Sequence, residues 1–117
     1  MSESAHQKAL FEWAMHAQAK CPELAWLYHI PNGGKRDPKT AARLKAEGVK
    51  AGVPDLCLPV PRKGFHGLYI ELKDVPTSCK ATPAQLGWLA GLSALGYSTH
   101  VCHGWEAARD VLLEYLR

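Results

Sequence analysis

Residues 68–102 switch period twice, and that switch constrains the fold more than any other feature of the chain. In "LYIELK" (68–73), Leu68, Ile70 and Leu72 alternate with Tyr69, Glu71 and Lys73, the two-residue repeat of a strand. Thr82-Pro83 then opens a helix that runs to Leu95 and closes at Gly96. "YSTHVC" (97–102) returns to strand character. Strand, helix and strand in succession predict a parallel pair joined by a right-handed crossover. An all-helical or purely antiparallel fold does not accommodate that order.

The flanking segments extend the pattern. A first helix is expected from about Glu3 to Lys20, capped by Ser2, with Glu3, Gln7, Leu10, Phe11 and Ala14 on one side. Pro22 ends it, and "AWLYHI" reads as a short strand in which Tyr28 and His29 pack. After the turn "PNGGKRD", Asp37 caps a second helix that has Pro38 at its first position and Gly48 at its stop. A strand through Leu56, Cys57 and Leu58 and the turn "PRKGFHG" form a hairpin with the 68–73 strand. Trp105 to Leu116 closes the chain as an amphipathic helix. The order α-β-α-β-β-α-β-α predicts an α/β fold, a small mixed β-sheet flanked by helices, with residues 1–117 forming one domain.

Composition narrows the function. Apolar residues make up 47% of the chain and charged residues 21%, so a disordered or fibrous chain is excluded. No apolar run approaches the roughly 20 residues that cross a bilayer, so no membrane partner is expected. The opening "MSESAHQK" lacks a basic start and apolar core, and the expected location is the cytoplasm. Cys21, Cys57, Cys79 and Cys102 are scattered, without a CxxC pair, and read as reduced thiols. His100 and Cys102 fall on the opposite strand face from His103, which argues against a shared metal.

The net charge is +3, and the basic residues are uneven. Lys35, Arg36, Lys39, Arg43, Lys45 and Lys50 lie close together, against Asp37 and Glu47. Such a segment suits a phosphate backbone. In "NGGKR", Gly33 and Gly34 allow close backbone approach, Lys35 and Arg36 supply charge, and Asn32 and Lys50 flank them. This set is the expected DNA clamp.

Chemistry is suggested by Asp55, Glu71 and Lys73. Glu71 and Lys73 share a face, and the hairpin brings Asp55 beside them if the register is right. Two carboxylates held together repel and call for a counter-charge, which a divalent cation supplies. Mg²⁺ (or Mn²⁺) accepts two carboxylates and a main-chain carbonyl while keeping several waters, and the Leu72 carbonyl lies between the functional side chains. Lys73 would orient a water or stabilise developing charge. Asp74 reads as a plain strand end.

Pro54-Asp55 followed by Glu71-Leu72-Lys73 resembles the signature of the PD-(D/E)xK nuclease superfamily. With "HIPNGGKR", "GVKAGVPDL", "YIELK" and "TPAQLGWLAGLSALGY", nearly the whole chain resembles the stand-alone virus-type replication-repair nucleases (VRR-NUC) of phages and prophages. The resemblance implies a restriction-endonuclease-like core and metal-dependent phosphodiester cleavage. Asp55 and Glu71 would be the metal ligands and Lys73 the catalytic lysine. Glu3 would be the acid of the first helix, a choice also favoured by its place on the apolar side. Gln85 has two readings: N3 of a capping box with Thr82, and a site residue beside Glu71 and Lys73. The resemblance further implies homodimers that cut branched DNA such as Holliday junctions. Two alternatives stand beside it. A nucleic-acid-binding module with a decayed site would have lost one of the three residues, and a glycosidase built on Asp55 and Glu71 would leave Lys73 and the basic segment without a role.

Overall fold

The computed structural model describes residues 1–32 and 36–117, so Gly33, Gly34 and Lys35 of the expected clamp lie outside the described residues. Four strands form one sheet in the order β1-β2-β3-β4: β1 (Tyr28–His29), β2 (Leu56–Leu58), β3 (Leu68–Lys73) and β4 (Ser98–His103). β2 is antiparallel to both of its neighbours, β1 and β3, and β4 is parallel to β3. The helices are α1 (Glu3–Ala17), α2 (Pro38–Ala46), α3 (Pro83–Ala94) and α4 (Trp105–Leu116). This is the mixed α/β sandwich that the sequence predicts.

Period and burial agree where the core forms. Leu56, Leu58, Leu68, Ile70 and Leu72 point from the sheet onto Leu10 and Ala14 of α1 and Ala108, Leu112 and Tyr115 of α4. Tyr115 adds a buried hydrogen bond, its hydroxyl donating to the Val60 carbonyl at 2.6 Å. The opposite sheet face carries Cys57, Tyr69, Glu71 and Lys73 and is approached by α3. One face therefore holds the core and the other the polar residues.

The helix ends follow their capping chemistry. Ser2, Asp37 and Thr82 each accept a hydrogen bond from a backbone N–H of the first turn. Two expectations need correction. Ala25 and Trp26 of "AWLYHI" belong to a 3-10 turn over Pro22–Trp26, since Pro22 suits a first helical position and the strand begins only at Tyr28. Tyr28 and His29 are exposed rather than packed, because β1 is the sheet's edge strand.

Gly52 sets the distance between the residues preceding Asp55 and the start of α3. Its φ is +88°, and a Cβ there would lie 2.7 Å from the Ala84 carbonyl carbon. Gly52→Ala is expected to cost about 2 kcal/mol or more and to push α3 off the sheet. Urea unfolding checks this, and an unchanged midpoint would contradict it.

Candidate active site

The hairpin register brings the acids together. Leu56 pairs with Ile70 and Cys57 with Tyr69, so one further step sets Asp55 opposite Glu71 on the face shared with Lys73. Asp55 sits in a bend just before β2 rather than inside the strand, after a fully buried Pro54. Its carbonyl accepts from the Ile30 N–H at 2.7 Å and from His29 Nδ1 at 2.9 Å. Its carboxylate Oδ2 accepts from the Leu72 N–H at 2.8 Å. Asp55 is thus held from both sides before any ligand arrives.

Leu72 serves two layers. Its side chain is 1% exposed and packs in the core. The N–H and C=O of a strand residue point to the same edge, so its carbonyl faces the Asp55 side, beyond the last paired residue of β2. The carbonyl is therefore available beside the two carboxylates.

Glu71 is 1% exposed. Its Oε2 lies 3.7 Å from Lys73 Nζ and accepts from Gln85 Nε2 at 3.2 Å. Its Oε1 is buried with no hydrogen-bond partner among the described residues. Burial, then the neighbouring Asp55 carboxyl, push the Glu71 carboxyl up to about 8, against the opposing pull of Lys73. A buried carboxylate oxygen without a partner is costly and calls for a donor or a cation.

Gln85 makes the contacts of both readings at once. Its Oε1 accepts from the Thr82 N–H at 2.8 Å, and its own N–H donates to Thr82 Oγ1 at 3.2 Å, completing the capping box. Its Nε2 remains free for Glu71. The two roles separate experimentally: Thr82→Ala removes half of the box but spares the contact with Glu71, whereas Gln85→Ala removes both. Each is expected to cost about 1 kcal/mol of stability. Only Gln85→Ala should also lower the cleavage rate, by roughly tenfold or more, in a single-turnover assay.

Glu3 is exposed, which corrects the expectation that it lies on the buried side of α1; the buried stripe is His6, Leu10 and Ala14. Its place in the first turn keeps it at the rim. It nevertheless lines a pocket of about 240 Å³ together with Gln7, His29, Asn32, Asp55 and Leu72, and its charge raises the Glu71 carboxyl further. Lys50 and Arg36 line an adjoining cleft.

Sequence alone assigns His6 no role, and for His29 it favours packing over a place flanking the site. His29, on the exposed edge strand, faces this pocket and pins Asp55. His6, 3% exposed, accepts from the Trp105 N–H through Nδ1 at 3.1 Å, so its Nε2 carries the proton and donates to Asp74 at 3.2 Å. Asp74 is therefore not a plain strand end: His6 ties α1, which carries Glu3, to the end of β3, which carries Lys73. The spacing of His6, Leu10 and Ala14 at four-residue steps was the signal available for it.

The donor set fits a hard divalent cation. Among the described residues, no three His, Cys, Asp or Glu side chains gather into a cage. Two carboxylates, one main-chain carbonyl and room for water are instead the incomplete protein set that Mg²⁺ tolerates. The unpartnered Glu71 Oε1 is the atom such an ion would satisfy.

A mixed sheet with two acids and a lysine at the end of a hairpin defines a PD-(D/E)xK-like, nuclease-type fold. The VRR-NUC domain family model matches residues 1–106, and the chain belongs to that family. A solved structure of a VRR-NUC domain protein superposes with a TM-score of 0.84 and 32% identity, covering 98% of this chain and 88% of that one. Among curated proteins no relative matches. Among the described residues, no helix is long and apolar enough to cross a membrane.

Proposed function

We propose that residues 1–117 form one metal-dependent endonuclease unit that hydrolyses phosphodiester bonds in branched DNA, acting as a homodimer of Holliday-junction resolvase type and of phage or prophage origin. The observation that carries the metal-dependent chemistry is the buried Glu71 carboxylate, with one oxygen lacking a partner, held opposite Asp55 and 3.7 Å from Lys73. Junction preference and the dimer come from the family resemblance. Symmetric cutting of two strands by so small a unit also favours a second copy.

Asp55, Glu71 and the Leu72 carbonyl would hold Mg²⁺ or Mn²⁺. Bound there, the ion supplies Lewis acidity at a phosphoryl oxygen and lowers the pKa of water. The remaining work belongs to the chain's own side chains. Lys73 Nζ, fixed beside Glu71, orients the attacking water and stabilises charge that builds on the phosphoryl oxygens. Gln85 fixes the rotamer of Glu71 through its amide, and the Leu72 N–H fixes that of Asp55. Glu3, at the rim of the pocket that Asp55 and Leu72 also line, adds a third acid to the site. Asn32, Arg36 and Lys50, with the 33–35 segment between them in sequence, hold the DNA backbone without reading base sequence.

Labelled junction, flap and linear DNA incubated with Mg²⁺, Mn²⁺ or EDTA tests this reading. Cutting of the junction with metal, and none in EDTA, is expected. Binding without cutting under every condition would leave only a binding module.

A further inference from the structure

One wall of the pocket beside Asp55 is helical: Glu3, Ser4 and Gln7 of α1 line it. Of the described residues 1–9, His6 alone is buried, and Leu10, the next buried residue of α1, lies a full turn further on. That wall is therefore seated on the fold by an imidazole. An apolar side chain would bury the same surface with no polar atoms to satisfy. The imidazole differs from it in forming directional bonds on two sides. Its Nδ1 accepts from the Trp105 N–H at 3.1 Å, and its Nε2 donates to Asp74 Oδ1 at 3.2 Å.

The Asp74 end of that contact is the exit of β3. β2 pairs with β3 only as far as Leu56 opposite Ile70, so among the described residues Glu71, Leu72 and Lys73 have a strand neighbour on the β4 side alone. Just at this one-sided end the chain is gripped three times. The Gly104 N–H donates to the Lys73 carbonyl at 2.8 Å, and His103 Nδ1 donates to the Asp74 carbonyl at 2.9 Å. Both of these come from the corner between β4 and α4. The third grip, His6 on the Asp74 carboxylate, comes from α1.

We propose that His6 is a positioning residue of the candidate active site: through Asp74 it sets the α1 wall that carries Glu3 against the strand end that carries Lys73. The inference rests on the nuclease reading and adds to it a residue that acts only through its neighbours. The two sides of the imidazole have different tasks. The Nδ1 bond ties α1 to the start of α4. The Nε2 bond ties α1 to Asp74, the residue next to Lys73, and is the side that bears on the chemistry. Without it the Glu3 wall and Lys73 lose their direct link, while the apolar contacts of α1 through Leu10 and Ala14 remain.

Substitution can separate the two sides. Asn carries polar atoms at the δ position only, so His6→Asn keeps an acceptor for Trp105 and loses the donor to Asp74. Gln carries them at the ε position only, so His6→Gln keeps the donor and loses the acceptor. Each variant gives up one hydrogen bond, and both should unfold at lower urea than wild type. Single-turnover cleavage with Mn²⁺ is then compared at a temperature where circular dichroism shows every variant folded. His6→Asn and Asp74→Ala should cut about tenfold more slowly, whereas His6→Gln and Asp74→Asn, which restore this contact, should stay within about threefold of wild type. Wild-type rates in His6→Asn, or equal slowing in His6→Asn and His6→Gln, overturn the proposal. Amide hydrogen exchange supplies a readout that needs no cleavage: His6→Asn should speed exchange in residues 3–7 and 73–76 together, and His6→Gln should not. Unchanged exchange in either segment of His6→Asn contradicts the proposal. A wild type that cuts no DNA removes the nuclease reading instead, and the exchange data still decide whether His6 couples the two segments.

Discussion

Asp55→Asn is expected to lower metal-dependent cleavage by about a thousandfold or more while leaving DNA binding in EDTA intact. The change keeps the size of the side chain and an acceptor oxygen for the Leu72 N–H, so local geometry survives. It removes the charge that makes a two-carboxylate cation site. Lys73→Ala acts differently, because it leaves Asp55 and Glu71 in place and takes away the cation 3.7 Å from Glu71 that the proposal assigns to the attacking water. A loss of roughly a hundredfold or more is expected, in the range seen when one stabilising donor is deleted from an active site. Single-turnover rates on junction DNA check both. Cleavage by Asp55→Asn at the wild-type rate would show that the site lies elsewhere even if the activity is real.

The second large effect concerns stability and pH. In the metal-free fold, the Glu71 carboxyl is pushed up to about 8, whereas in the unfolded chain it titrates near its ordinary value of 4.5. Between those values the folded state carries a proton that the unfolded state has lost. Stability from this group is therefore complete below about pH 4.5 and is lost as pH rises through about 8. The span is on the order of a few kcal/mol for a shift of this size. Thermal unfolding in EDTA should show Tm falling from mildly acidic to mildly alkaline pH, and Glu71→Gln should flatten that slope. Mn²⁺ should raise Tm of the wild type, and more at pH 8 than at pH 6, because the ion competes with the proton for Glu71. A Glu71→Gln profile as steep as wild type would contradict the assignment.

The residues of the site were legible to different degrees, for physical reasons. Asp55, Glu71 and Lys73 stood out because a tight hairpin converts sequence spacing into spatial pairing, and strand alternation decides which side chains share a face. Gln85 was legible as a cap from local spacing alone, while its contact with Glu71 needed the α3–sheet packing that only the fold provides. Glu3 was placed on the buried side by helical period, yet the first turn of α1 extends past the core, so the same angular position is exposed there. His6 and Asp74 were invisible as a pair, since 68 residues separate them and no local rule links a helix to a strand end. "AWLYHI" was read as one strand because its apolar content fits either form, and Pro22 tipped the first part into a 3-10 turn. His29 was misjudged because an edge strand looks, in sequence, like any other short strand.

Joint ligation of one divalent cation by Asp55 and Glu71 carries the proposed chemistry. Calorimetric titration of Mn²⁺ into the wild type, near neutral pH in two buffers of different ionisation heat, measures that directly. The expected result is saturable binding accompanied by proton release, with both the binding and the proton lost in Asp55→Asn and in Glu71→Gln. Mn²⁺ binding of unchanged affinity in either variant, or the absence of any binding to the wild type, would contradict it.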